Sequence, residues 1–277
     1  ESGNRAAPPV MVMQGITKAF PGVRALEDVS FDAHRGEVHM LVGQNGAGKS
    51  TLIKILYGAY HPEAGEIRIE GRTVRIGSPA DARRLGIAVI FQEFSLVPYL
   101  SVAQNIFLGR EFRGRFPGQI DHKRMHAEAA ILLRMLGMDL DTRTFVHRLG
   151  VAQQQMIEIA KALSQNARIL VMDEPTAALS DREIERLFAV IGRLRGEGVA
   201  IIYISHRLAE VFELGDRITV LRDGRHVATM RPAETGIDAL VRMMIGRDLD
   251  ASYGHRLERT AGERALATEL VHGVMRR

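Results

Sequence analysis

The chain has 277 residues, of which 46% are hydrophobic and 25% are charged, a balance typical of a globular protein with a sizeable core. The absence of cysteine excludes disulfide bonds and thiolate metal sites, and no apolar run is long enough for a helix to cross a bilayer. The formal net charge of +4 is too small to indicate a nucleic-acid partner, and none is expected.

In the N-terminal part of the chain, short apolar runs alternate with turn residues. Residues 1–9 lack this pattern and are predicted to be disordered, whereas 10–20 and 29–42 are predicted to contain strands. The run 38–42 is almost wholly apolar, which is typical of a strand buried on both faces of a sheet. A glycine-rich loop follows directly, and 49–57 then has the apolar spacing of a helix.

The middle of the chain changes from strand patterns to helical ones. Residues 66–70 and 73–76 flank Gly71-Arg72 and are predicted to form a hairpin. From about residue 101 to 167 no strand pattern occurs, and the clearest predicted helices are 122–136 and 153–163.

Strand patterns return after this helical stretch. Residues 169–172 and 199–204 are predicted to be buried strands, with a helix at 181–195 between them. This alternation at both ends of the chain predicts a mainly parallel α/β sheet that carries a helical insertion.

The first chemical motif is the stretch GQNGAGKST at 43–51, which fits the pattern G-x-x-x-x-G-K-[ST] between a predicted strand and a predicted helix. Glycines let the backbone wrap a phosphate chain, and a helix N-terminus favours the same negative charge. Lys49 can reach the β- and γ-phosphates, and Ser50 can offer its hydroxyl to magnesium. The motif therefore predicts a nucleotide site.

Four further polar residues follow short apolar runs. Asp173 and Glu174 follow the run 169–172, and this pair predicts a magnesium carboxylate and a base for the attacking water. His206 follows 199–204, where it could contact the γ-phosphate, and Gln92 ends an apolar run at 87–91. By itself Gln92 is equally compatible with a structural role.

The order of these motifs resembles the nucleotide-binding domain of ABC transporters from about residue 10 to 247. The strings KAFPGV at 18–23, NIFLGRE at 105–111 and MIGR at 244–247 resemble the branch that imports ribose, galactose or xylose. The resemblance implies a P-loop NTPase with a RecA-like, mainly parallel sheet, an antiparallel β subdomain and a helical subdomain inserted at about 96–167. It also implies that 248–277 are a linker and the start of a truncated second domain.

The resemblance assigns roles to individual residues. Phe20 would stack on adenine, Gln92 would link magnesium and the attacking water to the permease contact, and Asp173 would hold magnesium through water. Glu174 would be the general base and His206 the γ-phosphate sensor. ATP and Mg²⁺ are the implied cofactors, with Ser50, Gln92 and Asp173 around the metal. The phosphate-binding set comprises Gly43, Asn45, Gly46, Ala47, Gly48, Lys49, Ser50 and Thr51.

Two positions depart from the family pattern. The string that completes a partner's ATP site is L-S-G-G-Q in the family, or L-S-V-G-Q in the sugar branch, and here it is Leu149, Gly150, Val151, Ala152 and Gln153. Gly150 lacks the serine hydroxyl, although its N–H and the following helix remain, so this contact is expected to be weakened but not lost. Ser180 stands where the family usually has Asp.

The resemblance implies an ATPase subunit that powers monosaccharide uptake from the cytoplasmic face of the bacterial inner membrane. Its partners would be a second nucleotide-binding domain, a permease that docks near Gln92 and 94–99, and indirectly an extracytoplasmic sugar-binding protein. Two alternatives stay open at this point. One is a soluble ABC ATPase that acts on ribosomes or DNA, and the other is an ATP-gated regulatory domain that does not hydrolyse ATP.

Overall fold

A computed structural model describes residues 8–92, 94–116, 118–165 and 167–246. The prediction of disorder at 1–9 lies outside the described residues except for positions 8 and 9, which have no secondary structure, and the predicted linker and second domain at 248–277 lie outside them altogether. The strands are β1 (Met11–Phe20), β2 (Val23–Ala33), β3 (Val38–Val42), β4 (Ala64–Ile69), β5 (Arg72–Val74), β6 (Ile87–Ile90), β7 (Ile169–Asp173), β8 (Ala200–Ile204), β9 (Arg217–Arg222) and β10 (Arg225–Met230). The helices are α1 (Lys49–Leu56), α2 (Pro79–Arg84), α3 (Val102–Ile106), α4 (His122–Met135), α5 (Val151–Leu163), α6 (Asp181–Gly196), α7 (Leu208–Leu214) and α8 (Ile237–Ile245).

A six-stranded sheet with the order β10-β9-β3-β8-β7-β6 forms the centre of the molecule. Its inner strands pair in parallel, and every residue of β3, β7 and β8 is buried. The continuous apolar runs therefore predicted doubly covered strands correctly, because only a strand with both faces packed can bury consecutive side chains. Only β10 pairs antiparallel to its neighbour, β9.

A second, antiparallel sheet has the order β2-β1-β4-β5. Its β4–β5 hairpin turns through Glu70 and Gly71, both with positive φ, as a two-residue turn that matches strand twist requires. The predicted hairpin at this place is confirmed. The strand expected from residue 29 begins earlier, at Val23, because its first residues pair with the end of β1 although two of them are exposed.

The helices α3, α4 and α5 pack together beside the sheet and share one apolar core with its face. A second core fills the other face, between the two sheets and α1. The helices predicted at 122–136, 153–163 and 181–195 are confirmed, with α5 starting two residues earlier than expected. Within the part of the chain that the structure describes, no helix combines the length and apolar character that a membrane span needs.

His39 is buried in β3 and anchors a polar chain inside the second core. Its Nδ1 donates to the carbonyl oxygen of Asp32 at 2.7 Å, so its Nε2 accepts from the Thr219 hydroxyl at 2.7 Å. The Thr219 and Thr229 hydroxyls lie 2.7 Å apart, which completes the chain. Burial, and then the Arg217 charge, lower the pKa of His39 to about 3, although Asp32 opposes the shift.

We expect His39 to make the protein less stable in mild acid. The unfolded chain binds a proton at this ring below its ordinary pKa of about 6.5, but the folded chain does so only near pH 3, so stability falls as pH drops through this window. The loss due to His39 should reach about 2 kcal/mol at pH 5. Urea unfolding between pH 7 and 4.5 measures it, and His39→Gln should flatten the slope. The exposed His61→Gln is the control, and an equal slope in all three proteins would contradict the assignment.

Candidate functional site

Four parallel strands of the central sheet deliver polar residues to one edge. The chain leaves β3 into the 43–48 loop, β6 toward Gln92, β7 at Asp173 and β8 toward His206. Because the carboxyl ends of parallel strands lie at the same edge, these residues meet there. They surround an open pocket of about 530 Å³, lined by Asn45, Gly46, Lys49, Ser50, Gln92, Asp173, Glu174 and His206. Each of these residues was predicted to belong to the site.

The 43–48 loop takes a path that depends on its glycines. All three have positive φ: 156° at Gly43, 83° at Gly46 and 100° at Gly48. A Cβ at Gly43 would lie 2.3 Å from the Leu221 carbonyl oxygen, and one at Gly48 would lie 2.7 Å from the Ala25 carbonyl oxygen. A Cβ at Gly46 would meet nothing within 4 Å. The loop is therefore packed against protein at its two ends and open toward the pocket at its centre.

The loop runs into the N-terminus of α1, which no side chain caps. The first N–H groups of a helix have no partner within the helix, so they are available to an anion. Lys49 starts this helix, and its Nζ donates to the carbonyl oxygens of Gly43 at 2.7 Å and Gln44 at 3.0 Å. Burial lowers the pKa of Lys49, and the negative charges of Asp173 and Glu174 oppose that shift.

Asp173 ends β7 and is 7% exposed. Burial raises the pKa of Asp173, the neighbouring Glu174 charge raises it further, and Lys49 acts in the opposite direction. Two adjacent carboxylates in a half-enclosed pocket thus need positive charge close by. A divalent cation or the lysine can provide it.

Glu174 has an unusual backbone for a residue that is not glycine. Its φ is 50°, and its N–H donates to the Ile204 carbonyl oxygen at 3.0 Å. Such a conformation carries strain that the surroundings must maintain, and it is found preferentially at functional sites. It turns the carboxylate toward His206, whose Nδ1 lies 3.2 Å from the Glu174 Oε1.

Two groups of predicted residues lie away from this pocket lining. Phe20 is 36% exposed at the end of β1, and its ring packs edge-on against Tyr60 at 5.2 Å between centroids. Of the phosphate-binding set, Ala47 and Gly48 are buried and Thr51 is half-buried. The sequence analysis did not single out Tyr60, because a turn residue after a helix has no periodic signal.

The string 149–153 forms a separate, exposed surface at the start of α5. Gly150 precedes the helix, and its N–H donates to the Gln153 Oε1 at 3.2 Å. Val151 is 58% exposed, and a Cβ added at Gly150 would meet nothing within 4 Å. Within the described chain this surface does not line the pocket at the sheet edge, and its exposure leaves it accessible to another molecule.

Ser180, the second departure from the family pattern, begins α6. Its N–H and its hydroxyl both donate to the Glu183 carboxylate, at 2.9 and 2.7 Å. These bonds hold the turn into the helix through the Glu183 side chain, which reaches back to the first residue as in a capping box.

The sequence analysis missed one buried acid near the pocket, Glu210 in α7. Glu210 is 4% exposed. It accepts hydrogen bonds from Thr176, two residues after Glu174, and from Ser205, the residue before His206. The available signal was an acid four residues after His206 in a segment with helical apolar spacing.

Sequence comparisons identify the family to which this chain is related. The sequence model of the ABC transporter family matches residues 26–177, more than half of the chain. A Rubrobacter xylanophilus protein named ribose import ATP-binding protein RbsA 1 is 57% identical over 248 residues, which cover 90% of this chain and 49% of the relative. The Streptomyces coelicolor protein of that name, RbsA 2, is 54% identical over 267 residues, which cover 96% and 51%. The chain thus spans about half the length of the curated relatives it matches.

Solved structures agree on the fold. A nucleotide-free ATP-binding cassette from an ABC transporter superposes with a TM-score of 0.73 at 25% identity, covering 87% of this chain and 96% of that one. A dimeric bacterial ABC transporter cassette superposes with a TM-score of 0.71 at 26% identity, and the match covers 82% of this chain and 100% of that one. The chain therefore belongs to the ABC transporter family and has the fold of its ATP-binding cassettes.

Proposed function

We propose that this chain binds ATP in the pocket at the sheet edge and hydrolyses it to power the import of a monosaccharide. The observation that carries the proposal is the meeting of Lys49, Asp173, Glu174 and His206 beside the glycine loop. The loop and the start of α1 offer N–H groups to the phosphates, and Lys49 exchanges its two carbonyl partners for phosphate oxygens. Phe20 lies at the end of β1, where its half-exposed ring would stack on the adenine.

The same pocket fits magnesium. The Ser50 hydroxyl, the Gln92 amide oxygen and the Asp173 carboxylate are all oxygen donors, which is the ligand type that this ion prefers, and they line one pocket. These three residues would hold the ion, directly or through water. Bound there, Mg²⁺ would neutralise charge on the β- and γ-phosphates.

Hydrolysis needs an oriented water and an acceptor for its proton. Glu174 would lie beside the γ-phosphate, and its strained backbone and its contact with His206 fix its direction. As the water oxygen bonds to the γ-phosphorus, Glu174 takes one of its protons and the bond to the ADP oxygen breaks. His206 would contact the γ-phosphate oxygens and keep Glu174 aimed at the water.

A second cassette would complete the site. The exposed 149–153 surface offers the positive end of α5 to a phosphate bound by a partner, and the Gly150 N–H would exchange its bond to the Gln153 Oε1 for a phosphate oxygen. The similar bacterial ABC transporter cassette described above is a dimer, which supports this arrangement. Two cassettes that close on ATP and separate after hydrolysis can drive a permease between two states.

The relatives support a sugar as the transported solute, since two that are more than 50% identical are named ribose import ATP-binding proteins. We infer that the chain works at the cytoplasmic face of the bacterial inner membrane with a permease, and indirectly with an extracytoplasmic sugar-binding protein. Uptake of labelled ribose, galactose and xylose by cells with and without the gene tests this. Unchanged uptake of all three sugars would contradict it.

Two substitutions separate nucleotide binding from turnover. Lys49→Ala should weaken ATP binding at least tenfold, because the pocket loses the cation that faces the phosphates. Glu174→Gln should keep ATP binding within about twofold and lower kcat by about 100-fold or more, because an amide cannot accept the proton. Fluorescent-nucleotide titration and phosphate release on the intact protein measure both effects. Near-normal affinity of Lys49→Ala, or turnover in Glu174→Gln, would refute the assignment.

Gly150→Ser should increase ATP turnover. The backbone at Gly150 has φ −67° and ψ 162°, which serine adopts readily, and the added side chain has open space. A hydroxyl there can donate to a phosphate held by the partner, and such a charged hydrogen bond is worth roughly 1.5–3 kcal/mol. We expect kcat/KM for ATP to rise about tenfold.

Gly150→Ala is the matched control, because it adds the Cβ without the hydroxyl. If serine and alanine give the same rate, position 150 does not contact phosphate. If the original protein binds ATP without hydrolysing it and Gly150→Ser restores turnover, the chain is a regulatory domain that gates by binding alone.

A further inference from the structure

The side chain of Glu210 collects four donors in the interior. It lies in α7 and is 4% exposed, and its two carboxylate oxygens share the contacts evenly. One oxygen, Oε1, accepts from the Thr176 hydroxyl at 2.7 Å and pairs with the Arg207 guanidinium at 3.2 Å. The other, Oε2, accepts from the Ser205 hydroxyl at 2.7 Å and the Tyr203 hydroxyl at 3.1 Å.

The Oε2 contacts act on the segment that carries His206. Ser205 is the residue immediately before it, and the Ser205 Oγ, which donates to Glu210, also accepts from the Arg207 N–H at 2.9 Å. The backbone on both sides of His206 is thereby tied to one buried carboxylate. The His206 ring itself stays 64% exposed at the pocket, so its direction depends on this turn.

The Oε1 contact acts on the segment that carries Glu174. Thr176 is two residues after it, is 3% exposed and has its hydroxyl bound to Glu210. The Glu174 N–H donates to the carbonyl oxygen of Ile204, at the end of β8. The left-handed backbone at Glu174 is therefore held on one side by the end of β8, before His206, and on the other side by the Glu210 carboxylate.

We propose that Glu210 is a positioning residue that sets the separation of Glu174 and His206, which is 3.2 Å between the Oε1 of one and the Nδ1 of the other. The proposal rests on the hydrolytic roles proposed above for those two residues. Glu210 itself lines no part of the pocket in the described chain. Its effect passes through the two segments that its oxygens join.

A carboxylate fits these four contacts better than an amide does. An ionised carboxylate accepts at both oxygens and has about four lone-pair positions, which match the four donors. Glutamine would replace one oxygen by an NH₂ donor, either facing the guanidinium of Arg207 or facing the hydroxyls of Tyr203 and Ser205. Either arrangement breaks or reverses one of the two connections and removes the negative charge that pairs with Arg207, so the common anchor of the Glu174 and His206 segments is weakened.

Glu210→Gln in the intact protein tests the proposal. We expect KM for ATP to stay within about twofold, because the glycine loop and Lys49 are untouched, and kcat to fall about 10- to 100-fold through misplacement of Glu174 and His206. Glu213→Gln is the matched control, since it removes an exposed acid from the same helix. A kcat equal to that of Glu213→Gln would overturn the proposal.

A double variant distinguishes positioning from general stabilisation. In a His206→Ala background, Glu210→Gln should lower kcat by a smaller factor than in the original protein, because the part of its effect that passes through His206 is already lost. Losses that multiply in full would show that Glu210 does not act through His206, which contradicts the proposal. If Glu210→Gln does not fold, Ser205→Ala and Thr176→Val each remove one connection, and each should lower kcat at unchanged KM.

A spectroscopic readout separates this proposal from the proposed function. With ¹⁵N-labelled histidine, the ring nitrogen signals of His206 should shift in Glu210→Gln and in Thr176→Val, but not in Glu213→Gln. Unmoved signals refute the positioning role even if ATP is hydrolysed normally. If the signals move but the original protein hydrolyses no ATP, the contact geometry is upheld and the hydrolytic function is refuted.

Discussion

The pocket depends on one constraint, the common direction of the parallel strands at the centre of the sheet. Because β3, β7 and β8 run the same way, the glycine loop, the two carboxylates and His206 leave the sheet at one edge. The apolar residues that fill these strands also exclude water beneath the pocket. Burial there shifts the pKa of Lys49 down and that of Asp173 up, so each ionised group depends on the other's charge or on an ion between them.

A few buried polar side chains in the interior of the molecule are joined by hydrogen bonds. Glu210 ties the segments of Glu174 and His206 together, and the His39 chain runs from the second core through the buried Thr219 to the exposed Thr229. In the described residues Gln155 Nε2 is the buried side-chain atom without a hydrogen-bond partner. Buried polar groups that are satisfied specify one arrangement of the segments they join, which a purely apolar core does less strictly.

The sequence predicted the central strands and the pocket residues because both leave strong local signals. A five-residue apolar run such as Val38–Val42 fits a doubly buried strand, and the glycine–lysine motif after it has few other uses. The β9–β10 hairpin was not predicted, although Asp223-Gly224 forms its turn with positive φ at both residues. Arg217–Arg222 has charged ends, and its three apolar residues, interrupted by Thr219, are too short a signal to identify a strand.

The sequence by itself determined the glycine loop with its lysine and the chain order of the pocket residues, since such a loop needs its own spacing of glycines and a lysine. Only the tertiary structure decided how residues more than 100 positions apart meet, such as Lys49 and Asp173 in one pocket. It also decided the buried position of Glu210 and the exposure of Val151. The physical reason is that burial and pairing are properties of several segments packed together, and no single segment carries that information.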